Sequence, residues 1–191
     1  LSLLLLAIPA GLIAGLIHSW IRKTPYEIVE LRSVWLVLVA YLPQLFAFHI
    51  PVIARELPRD FVAGILTISQ FILLVFVWIN LQRPGSWVLG MGLGLNFLVI
   101  ILNGGFMPIS PQTIARLIPE LSSGIWKTGE RFGTGKDIVL EINHTRLWWL
   151  SDRFLLPEWI PYRAAFSLGD IFIAVGIFLL LWDPGKGGKP I

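Results

Sequence analysis

Apolar residues run along this chain in long unbroken blocks rather than in helical or strand periodicities. Five blocks stand out: Leu1 to about Ile21, Val34 to Ala54, Phe61 to Leu81, Ser86 to Met107, and Ala165 to Trp182. A run of about 18 or more apolar residues is long enough to cross roughly 30 Å of hydrocarbon as a helix. In lipid every backbone polar group must be bonded internally, so such blocks predict helices and not open strands. The pattern therefore predicts an all-α integral membrane fold, a bundle of five transmembrane helices. Residues 109–164, between the fourth and fifth blocks, form an extracytoplasmic, Trp-rich cap, and residues 1–191 form one membrane domain.

Composition sharpens this picture. Of 191 residues, 55% are hydrophobic and only 14% charged, against about 25% charged in soluble domains. Mean hydropathy is +0.76. The net charge of +3 carries no basic stripe with interleaved aromatics, which excludes a nucleic-acid surface. The chain has no cysteine, so disulfides, Cys-ligated zinc and iron–sulfur clusters are excluded.

The basic residues set the predicted orientation. Arg22, Lys23, Arg32, Arg83, Lys186 and Lys189 fall on one side of the five blocks, and Arg55 and Arg59 in a short loop on the other. The positive-inside rule then places the C-terminus in the cytoplasm and the long segment outside. The first block has no basic region ahead of it and no small-x-small cleavage site before His18, while Arg22 and Lys23 follow it. It reads as a retained helix with its N-terminus outside rather than a signal peptide. The sequence starts at Leu1 without an initiator Met, so whether residues precede it is open.

Within the long segment, Ser110-Pro111 predicts an N-cap and first helical residue for a short helix to about Ile118. Lys127–Lys136, rich in Gly and charge, reads as a mobile loop. Asp137–Ile142 reads as a short strand, and Thr145 as the cap of a helix through Leu150. Trp126, Trp148, Trp149 and Trp159 place the segment at head-group level.

Several motifs have a bland and a sharp reading. Gly11 with Gly15, and Gly90 with Gly94, are small residues four apart; they predict close helix packing, or a smooth face for a pigment or lipid. Gly133-Thr134-Gly135-Lys136 lacks the Gly that a phosphate loop needs five residues before the Gly-Lys pair, where Glu130 stands. Asn143-His144-Thr145 fits a glycosylation triplet, a pattern common by chance. His18, His49 and His144 are too scattered for a metal site, and no catalytic set assembles.

Polar residues inside the blocks carry the candidate chemistry: Gln44 and His49, Gln70 and Asn80, Asn96 and Asn103, and Asp170. Polar groups at membrane depth face protein or water and have partners. Two readings follow. In one, His49, Asn103, Asp170, Gln44, Gln70 and Asn96 form an outer-half polar pocket. In the other, they are interhelical bonds, with Ser167 capping the last helix and Asp170 locked onto the Asn103–Met107 turn.

Three pieces then carry a family resemblance: Asn103-Gly104-Gly105-Phe106-Met107-Pro108, Thr145-Arg146-Leu147-Trp148-Trp149-Leu150-Ser151-Asp152, and Phe166-Ser167-Leu168-Gly169-Asp170. In this order they resemble a family of small bacterial multi-pass membrane proteins of unknown function. Ser151 stands where that pattern has Gly, and Leu168 where it has Ile. The resemblance implies a bacterial cytoplasmic membrane and a five-helix plan, and no activity, cofactor or site residue. Three functions stay open: a non-enzymatic subunit packing against partner helices, lipid or pigment in a larger assembly; a small transporter or receptor; and a lipid- or isoprenoid-modifying membrane enzyme.

Overall fold

A computed structural model of the chain describes residues 3–27, 29–120, 126–160 and 162–182. It is mostly helical, with seven α-helices among the described residues: α1 (Leu4–Arg22), α2 (Trp35–His49), α3 (Pro51–Glu56), α4 (Arg59–Ile79), α5 (Ser86–Leu102), α6 (Pro111–Leu117) and α7 (Leu168–Trp182). Two of them, α1 and α4, are long and apolar enough to cross a membrane; α2, α5 and α7 are shorter apolar helices. Lys186 and Lys189, on which the predicted orientation partly rests, and the Leu1 end of the first block lie outside the described residues.

The ends of the apolar blocks differ from the predicted ones for local reasons. The second block is not one helix to Ala54. It breaks at Ile50, which is extended (φ −102°, ψ 100°) because Pro51 disfavours a helical residue before it. His49 therefore ends α2. The fourth block ends at Leu102 rather than Met107, since Gly104 and Gly105 take positive φ (78° and 83°), a region closed to most side chains. Met107–Ile109 is instead a strand, β1. In the fifth block Ala165–Phe166 is a strand and the helix starts at Leu168.

The five long helices form a row. α2 packs on α4, α4 on α5, α5 on α7, and α7 on α1; α1 and α2, consecutive in the chain, are the two ends of the row. Glycines allow the closest crossings. A Cβ at Gly92 would meet the Gly169 carbonyl at 2.5 Å, and one at Gly176 would meet the Leu89 amide at 2.5 Å. Gly11 and Gly15 lie against Phe178 and Leu181 of α7, as packing of small residues predicts. Gly94 faces open space, so Gly92 makes the α5–α7 contact and not the Gly90–Gly94 pair.

Two asparagines end helices in the same way. Asn80 closes α4: its Nδ2 donates to Phe76 O (2.8 Å) and Arg32 O (3.0 Å), and its Oδ1 accepts from Arg32 N (2.8 Å). Asn103 closes α5: its Nδ2 donates to Val99 O (2.8 Å) and Arg146 O (2.9 Å), and its Oδ1 accepts from Arg146 N (3.0 Å). Each side chain satisfies a free terminal carbonyl and clamps the backbone of a distant loop.

The segment between α5 and α7 folds over one end of the row. Ser110 Oγ accepts from Thr113 N (3.1 Å) with Pro111 following, so α6 starts where predicted. β1 pairs in parallel with β2 (Asp137–Val139), matching Met107 with Asp137, and Ile109 also bridges Asp152. Thr145 caps no helix through Leu150. Leu147 is left-handed (φ 54°), and only Trp148–Leu150 is helical, as a 3-10 turn. Asn103 holds both backbone groups of Arg146, which removes them from any helical ladder. The Gly-rich loop is bonded: Arg131 donates to Thr134 O (2.7 Å) and Gly135 O (3.1 Å), and Thr134 Oγ1 to Phe48 O (3.2 Å). Trp126 packs edge-on to Phe132 (4.9 Å) against the Ile109–Ile114–Val139 cluster, while Trp148, Trp149 and Trp159 are exposed.

Candidate functional site

The small parallel ladder brings together charges that lie far apart in sequence. Lys136 immediately precedes β2, and Asp152 sits beside β1, its amide donating to Pro108 O (3.0 Å). The Lys136 ammonium reaches Asp152 Oδ2 at 2.5 Å and Asp137 Oδ1 at 3.1 Å. Asp152 is 1% exposed, and its Oδ1 has no hydrogen-bond partner. Sequence reasoning missed Lys136, Asp137 and Asp152.

Asp170 comes to the same place from α7. Ser167 and Asp170 form a reciprocal cap: Asp170 N donates to Ser167 Oγ, and Ser167 N to Asp170 Oδ2, both at 3.1 Å. Asn96 completes the arrangement. Its Nδ2 donates to Asp170 Oδ1 (2.9 Å), and its Oδ1 accepts from the Ser167 hydroxyl (2.9 Å). The predicted lock of Asp170 on the Asn103–Met107 turn is thus replaced by one on Asn96. The amides of Asn103, Gly104 and Gly105 donate to Ile100 O and Ile101 O and that of Met107 to Lys136 O, and the Asn103 side-chain amide is taken by Val99 O and Arg146 O.

Lys136, Asp137, Asp152, Asp170 and Asn96 line one cavity of about 560 Å³, together with Gln44, His49 and Gln70. Of the six residues singled out in the sequence, five face it and Asn103 does not. The helix directions divide the cavity. Lys136, Asp137, Asp152, Asp170 and His49 lie toward the capped end, with Asn96 bonded to Asp170 beside them. Gln44 and Gln70 lie further along α2 and α4 from their capped ends. Beyond them the walls are apolar, from Val37, Leu73, Phe76, Leu93, Ile173 and Ile177. Leu3 and Leu4 at the start of α1 and Tyr41 of α2, the helices at the two ends of the row, also border it. Among the described residues no group of acidic or His side chains is set to hold a metal ion.

Burial and the neighbouring Asp137 and Asp170 charges push the Asp152 carboxyl well above the ordinary aspartate range, against the pull of Lys136. Burial opposes the charge of Lys136, but the carboxylates of Asp137, Asp152 and Asp170 outweigh it and hold its proton more firmly than usual. A carboxyl whose folded pKa is raised contributes stability below its unfolded value, and loses it as pH climbs through the folded value. Thermal stability in mild detergent is therefore expected to fall as pH rises from about 4 through the Asp152 titration, and Asp152→Asn to flatten that slope. The direct check is an infrared carboxylic-acid band absent from Asp152→Asn: it should persist to higher pH than an ordinary aspartate's, and its loss at ordinary aspartate pH would show that the site does not raise the Asp152 pKa.

Fold and site together define a mostly helical protein with charged and amide side chains gathered on one cavity. Residues 28–182 match the model of a family of unknown function, DUF5317, and the chain belongs to that family. An uncharacterised protein of Thermotoga maritima is 26% identical over 142 residues, covering 71% of each chain. No solved structure matches.

Proposed function

We propose that this is a five-span protein of the bacterial cytoplasmic membrane whose outer-half cavity binds a small amphipathic molecule, as a transporter or receptor does. The observation that carries this reading is convergence. Polar side chains from α2, α4, α5, α7 and the cap meet on one cavity instead of bonding separately between helices. Its size suits a small ligand, and its polar outer and apolar inner walls suit a head and a tail. A subunit held together by partners would have no need to gather these groups, so the pocket is preferred to pure packing or a pigment-bearing face.

Membrane placement has independent support. Trp20, Trp35, Trp78, Trp87 and Trp182 are all exposed, and all sit at the end of the row away from the cap. Trp148, Trp149 and Trp159 are exposed at the capped end. Leu5, Leu16, Ile68, Phe71 and Leu98 are exposed between these levels. Two aromatic girdles around an apolar band are what a bilayer selects.

The absence of cysteine makes the test clean. A small hydrophilic thiol reagent applied outside intact cells is expected to label Lys127→Cys and, through the cavity, Gln44→Cys and Gln70→Cys. Leu98→Cys, on the lipid face, and Arg83→Cys, on the cytoplasmic side, should stay unlabelled. Labelling of Arg83→Cys without Lys127→Cys reverses the orientation. Silence at both Gln44→Cys and Gln70→Cys overturns the water-open cavity.

A further inference from the structure

The cavity's charges do not balance. Three carboxylates, Asp137, Asp152 and Asp170, face it with one ammonium, Lys136. Arg163 also borders it but is paired with Glu120 at 2.9 Å, so its charge is answered outside. Arg153, next to Asp152, lies over the Trp148 ring (4.5 Å). His49, at the end of α2, and the phenols of Tyr41 and Tyr162 are the remaining titratable groups on the wall. Uncompensated charge away from bulk water is costly, and here the surplus is negative. The second observation is Asp152 Oδ1, buried and without a donor. Asp152 Oδ2 and Asp137 Oδ1 are engaged by Lys136 and both Asp170 oxygens by Asn96 and Ser167, while Asp137, 20% exposed, can be hydrated at its second oxygen.

We propose that the polar end of the cavity is a binding site for the protonated amine of an amphipathic ligand, with the Asp152 carboxylate as its acceptor and the apolar inner walls holding its chain. This rests on the pocket reading above and names the ligand's chemical class. An ammonium supplies the donor that Asp152 lacks and the positive charge that the carboxylate set lacks. A fatty acid would add a fourth carboxylate, and a fatty alcohol would add no charge.

The test uses the full chain in phosphatidylcholine nanodiscs, with empty discs subtracted, and three probes of one chain length: tetradecylamine, tetradecanol and tetradecanoic acid. Calorimetry at neutral pH is expected to show the amine binding at least about tenfold more tightly than the alcohol, the effect of one charge-assisted hydrogen bond. The acid should be weakest. Asp152→Asn should lose the preference for the amine while still binding the alcohol. Should that variant fail to fold, the wild-type comparison decides alone. Equal binding of amine and alcohol, or a preference for the acid, overturns the ammonium site and leaves the pocket standing. No binding by any probe also overturns it, and whether the pocket falls too is decided by thiol labelling at Gln44→Cys and Gln70→Cys.

Discussion

Gly92→Ala is expected to destabilise the protein sharply, while Gly94→Ala, two residues along the same helix, leaves it unchanged or slightly more stable. The added atom is the same methyl group. At Gly92 its Cβ would sit 2.5 Å from the Gly169 carbonyl and 2.7 Å from the Ile173 amide, both backbone atoms of α7. Neither can turn aside as a side-chain tip would, so α5 and α7 must separate. That separation stretches the Asn96–Asp170 and Asn96–Ser167 bonds, which lie one turn further along the same crossing. Overpacking a tight contact costs about 1–3 kcal/mol, and more where backbone must move. At Gly94 nothing lies within 4 Å, and alanine improves helix propensity by about 1 kcal/mol in water. Thermal melting of the two variants in one detergent is the measurement. Equal melting temperatures would mean that α5 and α7 do not cross at Gly92.

The same crossing shows how far sequence reasoning reaches. The position of each long helix follows from its apolar block, because the hydrophobic pattern is local. So does the cap at Ser110-Pro111, whereas the apolar blocks, read to Ala54 and Met107, run past the stops at Pro51 and at Gly104-Gly105. The Ser167–Asp170 cap is legible too, since both partners lie within one helical turn. Which glycine is used is not legible. Gly90 and Gly94 have the more familiar spacing, but the rotation of α5 about its axis decides, and it turns Gly92 toward α7. The convergence of Gln44, Gln70, Asn96 and Asp170 could be anticipated as polar groups at related depths. The Lys136–Asp152 pair could not. It depends on β1 accepting neighbours on both edges, Asp137 on one and Asp152 on the other, across sequence separations that no periodicity records. Lys136 also ends a Gly-Thr-Gly-Lys run that fails as a phosphate loop, and its actual partners are carboxylates. The five exposed Trp residues at the uncapped end were in plain view in the sequence, but they gather at one level only once the helices are stood side by side.

Asp170→Ala is expected to cost more stability than Asp170→Asn, and the difference separates the structural part of this residue from its charge. Alanine leaves two buried donors without acceptors. One is the side-chain amide of Asn96, 6% exposed, and the other is the backbone amide of Ser167, 0% exposed. Each such orphaned group costs about 1–3 kcal/mol. A cavity water can relieve Asn96, which lines the wall, more easily than the Ser167 amide. Asparagine keeps the geometry. Its carbonyl oxygen can accept from Ser167 N while its amide faces Asn96, provided the Asn96 amide turns over; Asn96 then donates to the Ser167 hydroxyl and accepts from the new side chain. The geometry is kept with the polarity of both Asn96 bonds reversed, the buried Ser167 hydroxyl left without the acceptor it had, and one negative charge removed from the cavity. Asp170→Asn should therefore melt somewhat below wild type, and Asp170→Ala, with two orphaned donors and no side chain to bridge α5 and α7, lower still. In a double-mutant cycle, Asn96→Ala and Asp170→Ala should couple by about 0.5–3 kcal/mol, because each deletes the same bond. Additive effects would show that the Asn96–Asp170 bond contributes nothing, and that α5 and α7 are joined at this depth by glycine packing alone.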